Sequence, residues 1–134
     1  MGRRWRDGTG RLIVPSGEAG RDPVVLPLEI AASYRLRTKG LLGRDSIAGA
    51  MLLSPASGVH TFGMRIPIDV AYLDRHLTVL AVRTMPPGRL GLPRPWARHV
   101  LEAEAGAMAG WGLRAGVRVG VALEGGAGGA GGSA

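Results

Sequence analysis

The sequence contains no cysteine, which excludes disulfide bonds, thiolate metal ligands and cysteine nucleophiles together. Aromatic residues make up only 4% of the chain, and Lys39 is the one lysine among 17 basic residues. No apolar run approaches the ~20 residues that a membrane-spanning helix needs. The N-terminus also lacks the apolar segment of a secretory signal. These absences predict a cytoplasmic protein without a membrane span.

The chain has 10 acidic and 17 basic residues, so its formal net charge is +7. A charge of this size can attract nucleic acid or acidic partners. However, the basic residues are scattered, and RRWR at residues 3–6 is the one cluster. Nucleic-acid binders usually combine a basic patch with interleaved aromatic residues. The sequence therefore argues against nucleic acid as the partner.

The composition predicts a single domain with a sizeable core, because the chain has 134 residues and 46% of them are hydrophobic. Residues 1–10 are predicted to be a flexible basic N-terminus. Residues 11–124 are predicted to form the folded domain. The segment GGAGGAGGSA at 125–134 has no apolar face to bury, which predicts a disordered tail.

Most of the predicted domain consists of short apolar runs separated by turn residues, a pattern typical of strands. The predicted strands cover residues 11–14, 24–31, 51–55, 59–64, 68–73, 77–84, 98–104 and 117–124. In IDVAYL, alternation places Ile68, Val70 and Tyr72 on one face and Asp69 on the other. Four prolines in MPPGRLGLPRPWA predict an irregular loop at 85–97.

Two segments are predicted to be helical. Ser33 is a suitable N-cap for a helix that starts at Tyr34 and runs to about Leu42, where Gly43 ends it. The second helix lies within residues 105–116. Many short strands with one or two short helices predict a mainly β (α+β) fold, either a small antiparallel β sandwich or a flattened barrel.

The order of the motifs is specific: RTKGLLGRDSI is followed by AMLL, HTFGMRIPIDVAYLD, MPP, HVLEAEAG and GLRAGVRV. In this order the chain resembles the domain of unknown function 192 family over about residues 28–121. The resemblance implies a small, mainly β fold with short helices, and it assigns no reaction. It rests most strongly on Arg37, Gly40, Leu41, Gly43, Arg44, Met64, Pro67, Asp69, Asp74, Val100, Leu101, Glu102, Gly106, Gly112 and Gly116.

The chain departs from the family pattern in two places. The family commonly has Phe-Trp-Met-Lys-Asn-Thr where this chain has TFGMRI, so Gly63 stands at the Trp position and Ile66 near the Asn-Thr positions. If those family side chains line a pocket, the resemblance implies a more open pocket here. Leu77 stands at a hairpin turn where the family commonly has Gly.

The polar residues within these blocks are the candidate ligand-binding residues: Arg37, Arg44, His60, Arg65, Asp69 and Glu102. Arg37 and Arg44 are seven residues apart, so they share one face of the helix if it extends that far. Arginine can bind a carboxylate or phosphate through two hydrogen bonds. Alternatively, both arginines form ion pairs with Asp69, Glu102 or Asp45 that attach the helix to the sheet, and this alternative is favoured.

Asp69 interrupts an apolar strand, so a buried carboxylate with a partner such as Arg65 is the favoured interpretation. A general acid or base acting with His60 is the alternative. His60 and His99 could meet at a metal with Glu102 or Asp69, but alternation places His99 and Glu102 on opposite faces of their strand. Because no HxH, HExxH or GxSxG motif occurs, we predict no metal or cofactor, and the catalytic residues remain open.

Three functions stay open at this point. The favoured one is a non-catalytic binding or accessory module for a small anionic ligand or a peptide segment. A hydrolase-like enzyme using Asp69 and His60 is the second. The third is an interaction module of a larger assembly, which docks through an exposed strand edge or the loop at 86–97, with Trp96 as its anchor.

Overall fold

A computed structural model of the chain describes residues 5–124, which form seven strands and two short helices. The elements in chain order are β1 (Gly8–Val14), β2 (Val24–Ala31), α1 (Tyr34–Lys39), β3 (Ala50–Leu53), β4 (Ile68–Leu73), β5 (Val79–Met85), β6 (His99–Glu104), α2 (Ala107–Gly110) and β7 (Gly120–Leu123). Within this part of the chain, neither helix is long and apolar enough to cross a membrane.

The strands form one sheet in the order β5-β4-β6-β3-β2-β1-β7. All neighbouring pairs are antiparallel except β2 and β3, which run parallel because α1 carries the chain back between them. A single bridge between Thr78 and Arg118 brings the start of β5 near the segment that precedes β7. The sheet therefore curls without closing, and the predicted mainly β fold with two short helices is confirmed.

Each face of the sheet carries its own hydrophobic core, which explains why the central strands are apolar at almost every position. In β3, Leu52 packs in one core and Met51 and Leu53 pack in the other. All six residues of β4 are buried. Its alternation is as predicted. Val70 and Tyr72 lie in one core, and Ala71 and Leu73 on the other face lie in the opposite core.

Helix α1 begins as predicted but ends early. The Ser33 hydroxyl accepts a hydrogen bond from the Leu36 backbone N–H at 3.2 Å, which confirms the N-cap. The helix stops at Lys39 because Gly40 adopts a φ of +48°. The expected helical face that would join Arg37 and Arg44 was therefore wrong, because Arg44 lies beyond the helix.

The predicted strand at 59–64 is also wrong, since only His60 forms a bridge, with Leu90 of the proline-rich loop. Thr61 is buried, and its hydroxyl donates to the Pro86 carbonyl at 2.7 Å. This hydrogen bond holds the segment against the loop, so the segment does not pair with a strand of the sheet. Gly63 has a φ of +76°, which turns the chain immediately afterwards.

The N-terminal residues that the structure describes are attached to the sheet. Strand β1 begins at Gly8, three residues earlier than the prediction. Asp7 accepts hydrogen bonds from the backbone N–H groups of Ala32 and Ser33, each at 2.7 Å. The Trp5 ring lies edge-on to His99, with 6.0 Å between the ring centres. The predicted tail at 125–134 lies outside the described residues.

Candidate functional site

A cleft of about 300 Å³ opens between α1 and the loop that follows β3. We call it the α1 cleft. Its main lining residues are Tyr34, Lys39, Gly40, His60, Phe62 and Glu102. The cleft exists because α1 covers the sheet for fewer than two turns, so the face beyond Gly40 is covered only by loops.

The floor of the α1 cleft is the carboxyl group of Glu102. This residue lies in β6, between Met51 of β3 and Val70 of β4, and only 2% of its surface is exposed. The backbone N–H of Leu41 donates a hydrogen bond to the carboxyl group. Its Oε1 atom, however, has no hydrogen-bond partner within residues 5–124. Burial is the main cause that raises the pKa of Glu102 to about 7.

Gly40 approaches this buried oxygen closely. A Cβ atom added to Gly40 would lie 3.2 Å from Glu102 Oε1, closer than an ordinary carbon–oxygen contact. The positive φ that ends α1 also favours glycine at this position. Gly40 therefore ends the helix and also leaves room for the carboxyl group of Glu102 beneath it.

Aromatic and thioether side chains form the walls of the α1 cleft. Tyr34 is 77% exposed and Phe62 is 51% exposed, although both are large and apolar. The His60 imidazole stacks on the Phe62 ring with 5.2 Å between the ring centres. Met64 contributes an adaptable side chain. The walls therefore offer apolar surface around a polar floor.

The position where the family commonly has Trp is held by Gly63, next to this cleft. A Cβ atom there would lie 3.1 Å from the Leu42 side chain, which itself lines the cleft. Because the φ of Gly63 is positive, a Trp would also need a different backbone at this point.

Most of the candidate basic side chains are occupied by protein groups. Arg37 lines the α1 cleft, but it donates to the carbonyl oxygens of Ala32 and Pro55, each at 3.1 Å. Arg44 lies outside the cleft and forms a bidentate salt bridge with Glu29 on β2, with N–O distances of 2.5 and 2.7 Å. Lys39 is exposed at the rim, and its ammonium group has no ion pair or hydrogen-bond partner among the residues described.

Two of the predicted site residues, Arg65 and Asp69, lie elsewhere. Arg65 is exposed and pairs weakly with Asp45 at 3.4 Å. Asp69 projects from β4 toward the opposite face of the sheet, where α2 packs. One of its oxygens accepts from the Thr84 hydroxyl at 2.6 Å. The other accepts from the backbone N–H groups of Gly106 and Met108 at 2.9 and 3.1 Å.

Of the six predicted candidates, the structure thus brings together Arg37, His60 and Glu102. Asp69 is separated from His60 by the sheet, and its oxygens are engaged by the start of α2. His99 also lies on the face opposite Glu102. Within residues 5–124, no three His, Asp or Glu side chains lie close enough together to hold a metal ion.

Sequence reasoning missed the aromatic walls of the α1 cleft. Tyr34 and Phe62 follow polar neighbours and belong to no periodic apolar pattern, so nothing local marked them. Their rarity was the available signal, because the chain has only two Tyr and one Phe.

These features define a small, mainly β protein whose open sheet carries a cleft above a buried carboxyl group. The chain belongs to the domain of unknown function 192 family (DUF192, Uncharacterized ACR), whose model matches residues 16–121.

Among curated proteins, the chain is similar to UPF0127 protein PH1112 of Pyrococcus horikoshii, with 30% identity over 84 residues, which cover 59% of this chain and 73% of the relative. It is 31% identical over 84 residues to UPF0127 protein PYRAB11210 of Pyrococcus abyssi, covering 59% of this chain and 72% of that protein.

Solved structures share the fold. A protein of unknown function from Novosphingobium aromaticivorans has a TM-score of 0.71 and 21% identity, covering 82% of this chain and 83% of its own. A Sinorhizobium meliloti protein described as a "putative transcription regulator" has a TM-score of 0.74 and 19% identity, covering 90% of this chain and 98% of its own.

Proposed function

We propose that this protein is a non-catalytic binding module that holds a peptide segment in the α1 cleft. The observation that carries the proposal is Glu102 Oε1, a buried acceptor without a partner within residues 5–124 at the floor of a cleft. A buried polar atom without a partner is costly, so such atoms are rare in folded proteins. A ligand N–H group that reaches Oε1 would remove this cost on binding.

The chemistry of the cleft favours a donor on the ligand rather than an anion. An ionised carboxylate accepts strong hydrogen bonds from amide and ammonium groups and repels anions. Arg37 and Arg44, which could have received an anion, are engaged by carbonyl groups and by Glu29. Of the two ligand classes that the sequence left open, the peptide segment therefore has more support at this cleft.

The walls fit the remainder of such a ligand. The exposed faces of Tyr34 and Phe62 offer contact area for apolar side chains of a peptide. Lys39 at the rim can pair with an acidic side chain or a terminal carboxylate of the same peptide. A volume of about 300 Å³ accommodates a few side chains, so a short segment is expected to enter the cleft.

A selection from a random peptide library on the immobilised protein tests this proposal. Selected peptides are then titrated against the wild type, Glu102→Gln and Glu18→Gln. Glu18→Gln is the matched control, because it removes the same charge from an exposed surface position. We expect about a 10-fold or larger loss of affinity for Glu102→Gln and less than about 2-fold for Glu18→Gln.

Nuclear magnetic resonance locates the peptide independently, since the chain has three histidines and each reports a different region. The imidazole signals of His60 should shift on peptide binding, while those of His76 and His99 should not. Peptides that bind both Glu variants as tightly as the wild type, or that leave His60 unchanged, would refute the assignment.

A second candidate function rests on the loop at 86–97. Leu90, Leu92 and Trp96 are 69, 79 and 75% exposed, so three large apolar side chains of one loop face solvent. Exposed aromatic anchors of this kind are typical of protein interfaces. We infer that the loop is a second contact surface through which the protein joins a larger assembly.

Trp96→Ala and Leu92→Ser test this candidate. Because both side chains are largely exposed, we expect each variant to change the free energy of unfolding by less than about 0.5 kcal/mol. Loss of a co-purifying protein from both variants, identified by mass spectrometry, would support the loop as an interface. Retention of every co-purifying protein by both variants would contradict it.

A further inference from the structure

A second and larger cleft, of about 1,090 Å³, lies where the ends of β3 and β6 face the β4–β5 turn and the segment leading into β7. We call it the arginine cleft, and its lining includes Trp5, Ser54, Arg75, Arg98, His99 and Arg118. It contains none of the residues that line the floor or aromatic walls of the α1 cleft, so a ligand here would be independent of the proposed function.

Three guanidinium groups face this cleft, and none of them forms an ion pair with a carboxylate in the part of the chain that the structure describes. Arg75 donates through Nε to the His76 ring at 3.2 Å. Arg118 donates through Nε to the His76 carbonyl at 3.0 Å. Arg98 uses Nη1 for the Pro95 and Ala97 carbonyls. The other N–H donors of each guanidinium have no acceptor within residues 5–124.

The base of the arginine cleft is a buried hydroxyl–imidazole pair. His99 Nδ1 lies 2.7 Å from Ser54 Oγ, and these two side chains are 8% and 3% exposed. This hydrogen bond fixes the imidazole orientation and leaves Nε2 without a partner in the described residues. The Trp5 ring packs edge-on against the imidazole and forms part of the wall. The base of the cleft thus combines a hydrogen-bonded polar pair with an aromatic wall.

We propose that the arginine cleft binds a phosphate-bearing ligand of about nucleotide size. Three guanidinium groups without carboxylate partners concentrate positive charge where a multiply charged anion can receive several N–H donors at once. Phosphate groups carry enough charge and oxygen atoms to engage more than one arginine. The volume of the cleft accommodates an organic group attached to the phosphate.

The Asp74 carboxylate is an opposing charge near this site, and it does not form ion pairs with the arginines. The Asp74 carboxylate interacts electrostatically with His99. Its Oδ1 atom, however, accepts from the backbone N–H groups of His76 and Thr78 at 2.8 and 3.0 Å, which holds the carboxylate in the β4–β5 turn. The charged residues that line the cleft are all basic.

Calorimetric titrations with inorganic pyrophosphate, adenosine triphosphate, adenosine and a thymidine oligonucleotide test the proposal. We expect pyrophosphate and the nucleotide to bind and adenosine alone to bind far more weakly. Tighter binding of adenosine triphosphate than of the oligonucleotide would assign a free nucleotide, and the reverse order would assign a nucleic-acid backbone. Failure of all three phosphate-bearing probes to bind at millimolar concentration, or equal binding of adenosine and adenosine triphosphate, would overturn the proposal.

Matched variants separate a site from general attraction by the net charge of +7. Arg75→Gln/Arg118→Gln should weaken phosphate binding by about 10-fold or more. Arg83→Gln/Arg114→Gln removes the same charge from exposed positions outside the cleft and should change it by less than about 2-fold. Equal losses in the two double variants would overturn the proposal.

The histidine signals and a milder variant keep the test independent of folding. Because Arg118 also donates to a carbonyl, Arg75→Gln alone provides a variant that leaves that hydrogen bond intact. His99 and His76 signals should shift on binding while His60 stays unchanged. A shift confined to His60 would place the ligand in the α1 cleft and overturn the assignment.

Discussion

Gly40 lies directly above the carboxyl group of Glu102, so close that a Cβ atom at Gly40 would lie 3.2 Å from Oε1. The end of a helix and an interior strand of the sheet, β6, thereby meet at one buried, partly satisfied carboxyl group. This relationship explains why the α1 cleft has a polar floor in an otherwise apolar region. It also makes the protonation of Glu102 a property that stability measurements can detect.

We expect Glu102→Gln to make the free energy of unfolding less dependent on pH. Because burial raises the pKa of Glu102 from 4.5 to about 7, the folded state keeps a proton that the unfolded state releases. The resulting stability is complete below pH 4.5 and is lost as the pH rises through about 7. The total loss is about 3 kcal/mol in the wild type and absent in the variant.

Urea unfolding between pH 5 and pH 8 measures this difference, with Glu18→Gln as the exposed control. His99 contributes in the opposite direction, because burial lowers its pKa below 6.5 and its stabilising effect is lost as the pH falls. That contribution is common to all three proteins and cancels in the comparison. If the wild type and Glu102→Gln show the same pH dependence, the Glu102 carboxyl is not buried as described.

Asp69→Ala should be strongly destabilising, whereas Asp69→Asn should not. The alanine leaves the backbone N–H groups of Gly106 and Met108 and the Thr84 hydroxyl without their acceptor, which costs about 3 kcal/mol or more. The asparagine keeps one oxygen for the two N–H groups and offers its amide to Thr84. Denaturant unfolding of both variants measures the contrast, and equal losses would contradict this role for Asp69.

Gly49→Ala should cost more stability than Gly43→Ala, although both glycines have a positive φ, +71° and +82°. A Cβ atom at Gly49 would collide with the Pro27 carbonyl oxygen, whereas Gly43 has open space around it. We expect about 1 kcal/mol for Gly43→Ala and at least about 2 kcal/mol for Gly49→Ala. Thermal unfolding provides the comparison, and similar costs would show that the approach of Gly49 to β2 is not tight.

The Arg44–Glu29 pair should contribute about 0.5–1 kcal/mol in a double-mutant cycle with Arg44→Gln and Glu29→Gln. The salt bridge is bidentate, but both side chains are more than a third exposed, at 35% and 39%. Solvent therefore screens the attraction between the two charges. The coupling energy should decrease in 1 M salt, where the Debye length is only about 3 Å. A coupling that is unaffected by salt would indicate packing rather than charge.

The sequence was most informative where packing is periodic. Strand β4 matches the prediction at both ends because both of its faces are buried and its alternation is regular. The segment at 59–64 misled the prediction because its apolar and β-branched composition resembles a strand. Its hydrogen bonds go instead to a loop that is 25 residues away in sequence, as Thr61 and Pro86 show.

The candidate site was predictable only in part, because its contacts also join residues that are distant in sequence. Glu102 could be suspected as a polar residue in an apolar strand, but its unpartnered oxygen depends on where Gly40 lies. Arg44 was assigned to other acidic partners because Glu29 follows no helical spacing from it. The arginine cleft was missed altogether. Its Ser54–His99 pair spans 45 positions, and its arginines come from separate turns, so no local spacing could indicate it.

The dissociation constant of one selected peptide at pH 6 and at pH 8, for the wild type and Glu102→Gln, tests the central claim most directly. If the ionised carboxylate receives the peptide N–H, a group with a pKa of about 7 gives wild-type affinity about 10-fold higher at pH 8 than at pH 6. Glu102→Gln should bind weakly and equally at both values. Equal wild-type affinities at the two pH values, with Glu102→Gln binding as tightly, would contradict the role of Glu102 in binding.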